Sequence, residues 1–325
     1  MAASENVTLG LSDSSMNISV AMATFNGEPH LAEQLESIRC QTRAPDELVA
    51  CDDGSSDATV ELLMAFRDKV QFPVRIERHT KNLGSTRAFE NALSACRGDI
   101  VLLSDQDDVW RSDRIARTCR AFEENPRAVG VFSDARLTDA NGSSLGRTLW
   151  QRTGVDRPVL EKLAQGGMVG FRELLKRNVI TGATFAFRMD NVSAIQPFPT
   201  EWVHDYWIAL HLILQGGIVG IDQPLIDYRQ HGRNQLGAGR QSIMGRLRQR
   251  GDLRLSYRQM RTLNERSRAL PEAARREIER KCSHLDDRIG AEKALVPVIR
   301  GWVRGDYTRY SNGMQSVLKD LIARI

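Results

Sequence analysis

SDQDDVW at residues 104–110, joined to the apolar run IVLL at 100–103, is the stretch whose reading decides the fold. An apolar run that ends at once in massed carboxylates marks a buried strand opening onto a ligand crevice, because open α/β sheets bind ligands beyond the carboxyl ends of their strands. The same signature stands upstream, where DDGSSD at 52–57 follows LVAC at 48–51. Two such ends imply two strands of one sheet with their acids on a common rim.

Outward from these points, short apolar runs alternate with amphipathic segments up to about residue 140, the pattern of βα units stacked into a parallel sheet. Strands are expected at 18–24, 47–53, 74–80, 99–105 and 128–134. Crossover helices are expected at 29–40, 56–68, 85–97 and 113–124, with apolar residues three and four apart, as in Val60, Leu63 and Phe66. Ser55, Ser56 and Ser112 stand where helix N-caps belong, since a hydroxyl accepts from the free amides of a first turn. The turn signal DANG at 139–142 opens a loop-rich stretch to about Arg177. Order returns with a strand at 182–188, a helix at 203–215 and an extended segment at 218–228. The fold class read from this order is α/β, a Rossmann-like, mostly parallel sheet flanked by helices, with a helical C-terminal extension. A disordered lead-in at 1–16, a sheet domain at 17–238 and a basic helical region at 239–325 complete the expected organisation.

With 325 residues, 41% hydrophobic and 26% charged, the chain has the composition of a soluble globular protein with one substantial core and a smaller appendage. Its five cysteines are odd in number and show no CxxC pair, which favours thiols packed as small hydrophobes in a reducing cytoplasm over disulfides or a zinc site. The N-terminus lacks a basic segment leading into an apolar one, so no signal peptide is expected. The most apolar stretch, 207–221, is broken by His211, Gln215 and the pair Gly216-Gly217, short of the roughly 20 apolar residues that a membrane span needs. Charge is uneven. Residues 240–325 carry +10 and the rest −6, within an overall +4. The two parts therefore present different surfaces to different partners.

Each motif has a plain reading beside its chemical one. The Asp-Gly turn of DDGSSD serves any βα loop, yet Asp52 and Asp53 can also accept from the ring N–H of uracil or thymine, and Thr24, Phe25 and Asn26 lie at the matching end of the first strand. A nucleoside pocket results. Asp105, Asp107 and Asp108 crowd three like charges into four residues, which a divalent cation would relieve; oxygen ligands favour Mg²⁺ or Mn²⁺ bridging a diphosphate. His231 in YRQHGRN either closes a strand or adds a nitrogen ligand that favours Mn²⁺. Asp205 in HDYW either serves a helix dipole or is a base within reach of an acceptor hydroxyl. Trp110 and Trp207 offer faces to sugar C–H groups or fill a core. Gly84 of KNLG precedes a helix N-terminus suited to a diphosphate.

In combination and in order, TFNG, DDGSSD, KNLG, LLSDQDDVW, TGATFAFR, HDYW and PLIDYRQHGRNQLG resemble the family 2 glycosyltransferases of bacterial polysaccharide assembly, over residues 17–237. The resemblance implies a GT-A fold, a nucleotide-sugar donor, a divalent metal and inversion at the anomeric carbon. It also implies a cell-surface or O-antigen glycan, or a lipid-linked oligosaccharide, as acceptor. Many members of the subgroup are rhamnosyltransferases, which points to dTDP-rhamnose beside UDP-sugars. Carried onto this chain, it puts Thr24, Asn26, Asp52 and Asp53 around the base and ribose, and Asp105 at the ribose or metal. Asp107 becomes the main metal ligand, His231 the second and Asp205 the base, while Gly182 of TGATFAFR joins the tryptophans on the acceptor side. The third acid, Asp108, departs from the family spacing and leaves two registers, of which Asp105 with Asp107 is preferred. Phe89-Glu90-Asn91 replaces an Arg-Asn pair, so no role transfers to an arginine there.

The Arg-rich tail lies outside the resemblance. It either solvates its own helices or docks peripherally on anionic lipid at the inner face of the membrane. Its few aromatics offer no stacking platform, so nucleic acid is not an expected partner. Two rival functions remain: a nucleotidyltransferase, which needs a Lys-containing glycine loop that TFNGEP does not supply, and a glycan-binding scaffold without catalysis.

Overall fold

The computed structural model describes residues 16–190, 192–230, 243–290 and 295–322. The expected lead-in lies outside them except for Met16. The first half alternates as the hydrophobic pattern demands: β1 (Ile18–Thr24), α1 (Glu28–Arg39), β2 (Glu47–Asp52), α2 (Thr59–Arg67), β3 (Val74–Arg78), α3 (Ser85–Ala95), β4 (Ile100–Ser104), the two-residue β5 (Val109–Trp110) and α4 (Arg114–Glu124). β3, β2, β1 and β4 lie side by side and parallel. Both faces of β1, β2 and β4 are covered, so these strands are mostly apolar, whereas the edge strand β3 alternates. Ile18, Val20, Met22, Leu48, Ala50, Ile100 and Leu102 face α1, α2 and α4, whereas Ala21, Val49, Cys51, Val101 and Leu103 face α3.

The second half of the sheet is mixed and completes the expected α/β architecture. β6 (Ala128–Thr138) is followed by β7 (Ser144–Thr148), α5 (Leu149–Thr153), α6 (Arg157–Gln165), α7 (Gly167–Lys176), β8 (Phe185–Arg188), α8 (His204–Leu212) and β9 (Gly217–Arg229). β8 enters antiparallel between β4 and β6, β9 runs parallel to β6, and β5 closes the far edge antiparallel to β9.

Three local expectations are corrected. The stretch after residue 142 is a hairpin and three helices. Thr148 and Gln151 form a reciprocal capping box, Asp156 caps the Val159 amide, and Gly154 ends α5 in the left-handed region (φ 66°). Ser55, Ser56 and Ser112 cap nothing, because α2 and α4 begin later, after Ala58 and Asp113. The strand expected from residue 182 begins as a 3₁₀ turn, Gly182–Thr184, since the Gly182 amide is drawn to the Asp205 side chain.

α9 (Ile243–Glu265), α10 (Glu272–Gly290), α11 (Leu295–Val303), α12 (Asp306–Tyr310) and α13 (Met314–Ile322) complete the helical extension. Met260, Leu263, Ile278 and Leu285 join the core beneath α3, α7 and α8, so α9 and α10 share the sheet's core. Leu102 lies on β4 between β1 and β8 with no exposed surface. Leu102→Ala is expected to lower unfolding stability by about 2–5 kcal/mol, read as a reduced urea midpoint at unchanged slope. An unmoved midpoint would contradict its central position.

Candidate functional site

The carboxyl ends of β1, β2 and β4, the N-terminal ends of α3 and α8 and the turn before β8 surround an open cavity of about 890 Å³. Thr24, Phe25, Asn26, Asp53 and Gly84 line one side of it. Asp105, Asp107, Gly182 and Asp205 line the remainder. Each was singled out by the sequence pattern, and the sheet brings them together.

Asp53 is 2% exposed and organises the first side. It accepts from the amides of Leu83 (2.8 Å) and Gly84 (2.7 Å) and contacts His79 Nδ1 at 2.7 Å. His79 Nε2 in turn lies 2.6 Å from the Asn91 amide nitrogen, so the ring bridges Asp53 and α3. Neither His79 nor Asn91 was a sequence candidate, because their pairing spans β3, the KNLG loop and α3. Across the pocket, Gln106 and the backbone of Phe25 bond reciprocally at 2.7 and 3.1 Å. A Cβ on Gly27 would sit 2.4 Å from Gln106 Oε1, so glycine is what allows this approach. Asn26 holds a positive φ of 47° and accepts from the Ser56 amide at 2.9 Å.

The acidic loop is pinned between β4 and β5. Asp108 is 1% exposed and turns inward, its Oδ1 accepting from the Arg229 amide at 3.2 Å. Burial, then the charges of Asp107 and Asp105, push its carboxyl well above the usual range. Asp105 is pushed up to about 7 by burial and by Asp107 and Asp205, with Arg114 opposing. Arg114 lies fully buried beneath the loop, its guanidinium stacked 3.7 Å over the Trp110 ring. Arg229 clamps the loop from above: it donates to the carbonyls of Asp107 and Ala140, each at 3.0 Å, and pairs with Glu33 of α1. Only distant segments supply these partners, which is why the sequence did not mark Arg229.

Asp205, 3% exposed, begins the first turn of α8 and accepts from the Gly182 amide at 2.6 Å and from the Tyr206 amide. Burial outweighs these bonds and pushes its carboxyl up to about 6. His204 beside it is stacked on Phe89 with centroids 3.9 Å apart, and burial pushes its ring down to about 3, so it stays neutral.

Three expected site residues are placed elsewhere. Asp52 is fully buried and builds its own turn, accepting from the Ser55 amide (2.9 Å) and the Thr24 hydroxyl (3.1 Å), so it supports the pocket from behind. Trp110 is 4% exposed and its face is occupied by Arg114. Trp207 is 2% exposed, packs edge-on against Trp202 and donates to the Ile195 carbonyl at 2.9 Å. Neither tryptophan is a sugar platform. His231 lies outside the described residues.

Among the described residues no three His, Cys, Asp or Glu side chains converge on one point. The side chains that could hold a cation are instead two, Asp105 and Asp107, in the cavity wall. That fits Mg²⁺ or Mn²⁺ held with a diphosphate, since such ions are bound through one or two carboxylates together with substrate phosphates and water. Burial, and then repulsion from Asp107 and Asp205, raise Asp105, and a cation would offset both.

The family model for Glycosyl transferase family 2 matches residues 19–181, half of the chain. The chain belongs to glycosyl transferase family 2. It is 25% identical over 223 residues to an uncharacterized glycosyltransferase of Nostoc sp., covering 67% of this chain and 66% of that protein. It is 26% identical over 175 residues to the poly(ribitol-phosphate) beta-glucosyltransferase of Bacillus spizizenii, covering 52% of this chain and 27% of that enzyme. The chain thus spans between about a quarter and two thirds of these relatives. Its fold matches S. aureus TarS 1–349 in complex with UDP-GlcNAc, with a TM-score of 0.60 at 18% identity over 95% of this chain and 89% of that one. It also matches the mannosyltransferase of Pyrobaculum calidifontis in complex with GDP-Man and Mn²⁺, with a TM-score of 0.56 at 16% identity over 96% and 89%. These likenesses establish the GT-A-like fold for this family 2 chain.

Because Asp105 ionises only near 7 when folded but near its ordinary 3.8 when unfolded, it withdraws stability as pH rises from about 4 to about 7. A cation on the ionised pair would return that stability. Mn²⁺ is therefore expected to raise the melting temperature more at pH 8 than at pH 5, and not at all in Asp107→Asn. A shift that is equal at both pH values would remove the acidic pair from metal binding.

Proposed function

We propose that this family 2 protein transfers a sugar, with inversion, from a nucleoside-diphosphate donor to a hydroxyl group of a glycan or lipid-linked acceptor. The observation that carries the reading is one cavity shared by Asp53, Asp107 and Asp205, with Asp205 fixed by two backbone amides at the start of α8. Asp53, with Thr24 and Asn26, receives the nucleoside, and the Gly84 region at the α3 N-terminus receives diphosphate charge. A divalent cation, when bound at Asp107 with Asp105, supplies neutralisation of the diphosphate leaving group.

In this reading the Asp205 carboxylate takes the proton of the acceptor hydroxyl. The freed oxygen electron pair forms the new bond to the anomeric carbon as the bond to the diphosphate breaks from the opposite face. The leaving electrons go out with the nucleoside diphosphate. A base at this position must be ionised in water-poor surroundings, and the elevated pKa of Asp205 makes it a stronger proton acceptor than an exposed aspartate.

A UDP-sugar is supported by the TarS complex and the resemblance of the motifs favours dTDP-rhamnose; we carry both as donors. Among the described residues no helix is long and apolar enough to cross a membrane, so a lipid-linked acceptor would be met at a surface.

Each common nucleotide-sugar, incubated with the protein, Mn²⁺ and an acceptor extract, is expected to release nucleoside diphosphate for one donor class. Asp205→Asn should lower that turnover by about 10²–10⁴-fold while leaving UDP or dTDP binding in place. The wild-type rate should rise with pH through about 6, as Asp205 loses its proton. Full turnover by Asp205→Asn would remove this residue from the role.

A further inference from the structure

Six large apolar side chains are more than half exposed on two adjoining helices: Val296, Ile299, Trp302 and Val303 of α11, and Met314 and Leu318 of α13. They are over half of the large apolar side chains exposed among the described residues, and scattered exposure is the rule for a soluble surface. The spacing 296, 299, 303 is one helical stripe. Val298 points the other way, into a small core with Tyr307 and Val317. The exposed stripe is therefore a second face, beyond what the helices need to pack on each other.

Trp302 is 57% exposed, whereas Trp110, Trp150, Trp202 and Trp207 are all at 5% or less. An indole that buries an apolar body while keeping its N–H wet suits a boundary between lipid tails and water. The same helix carries exposed Arg300, exposed Arg304 follows directly after its last residue, and residues 296–304 contain no acid. Arg300 reaches Asp287 only at 3.8 Å. A second copy of the chain seated on this face would bring arginines against arginines around the apolar centre. An anionic bilayer satisfies both halves at once, taking the aliphatic and indole groups into its boundary and the guanidinium groups on its phosphates.

We propose that the α11–α13 face docks on a membrane surface rich in anionic phospholipid, with Trp302 and Val303 as the inserting pair and Arg300 and Arg304 on the headgroups. The site is separate from the donor cavity, so it stands or falls apart from the proposed transfer reaction.

The test uses the full chain with vesicles of phosphatidylcholine alone, or mixed in equal parts with phosphatidylglycerol. The chain is expected to pellet with the mixed vesicles and to show a blue shift of tryptophan emission, which Trp302 alone is exposed enough to report. Trp302→Ser with Val303→Ser should bind about tenfold more weakly. Arg300→Gln and Arg304→Gln should each weaken binding about fivefold and leave the apolar packing intact, which keeps the test sound should the first variant not fold. UDP affinity, the reading of the cavity, should not change in any of them. Absence of pelleting, equal binding to phosphatidylcholine alone, or wild-type binding by these variants would overturn the proposal. So would an emission shift that follows protein concentration without lipid, which would make a second copy the occupant.

Discussion

Three carboxylates within four residues, held at the rim of a sheet and repelling one another, are the constraint on which the rest of the site depends. Left to solvent, such a loop would spread. Here it is anchored at one end by β4 and at the other by β5, with Arg114 buried below and Arg229 bonded to its carbonyls above. Burial first, and then the neighbouring acids, push the carboxyls of Asp105 and Asp108 above the ordinary range, and Arg114 offsets only part of this. The inward turn of Asp108 separates it from Asp105 and Asp107, which line the cavity.

The opposite wall follows a different logic. Asp205 is not surrounded by cations; two backbone amides and the first turn of α8 hold it. Its position depends on the 3₁₀ turn at Gly182, where a Cβ would sit 3.1 Å from His204 and 3.2 Å from Asp205. The two walls therefore differ in charge balance, one crowding like charges beside buried arginines and the other holding a single carboxylate on backbone amides.

The parallel half of the fold was legible because every element there is signalled locally: apolar runs of four or five residues, three-four spacing in the helices, and acids or glycines at the strand ends. Asp53, Asp107 and Asp205 were legible for the same reason. What the sequence left hidden depends on partners far along the chain. β8 is four residues long and pairs with strands that precede it by some eighty and some fifty positions. Arg229 meets Glu33 across 196 residues, and His79 reaches Asp53 after β2 and Asn91 on α3. The misassigned tryptophans show the converse limit. An aromatic next to an acidic motif looks the same in sequence whether its face is open or covered, and only packing shows that Arg114 covers one and Trp202 abuts the other.

The path of β8 has one more consequence. It sits as the middle plank between β4 and β6, though it is made some eighty residues after the first and some fifty after the second. A chain that ends at residue 181 lacks both β8 and β9, which leaves the β4 edge and the β6 edges without their partner strands. The family-matched portion, 19–181, is a unit of ancestry but not of assembly, and until the plank arrives its open edges are where a folding chain is most exposed to pairing with a neighbour.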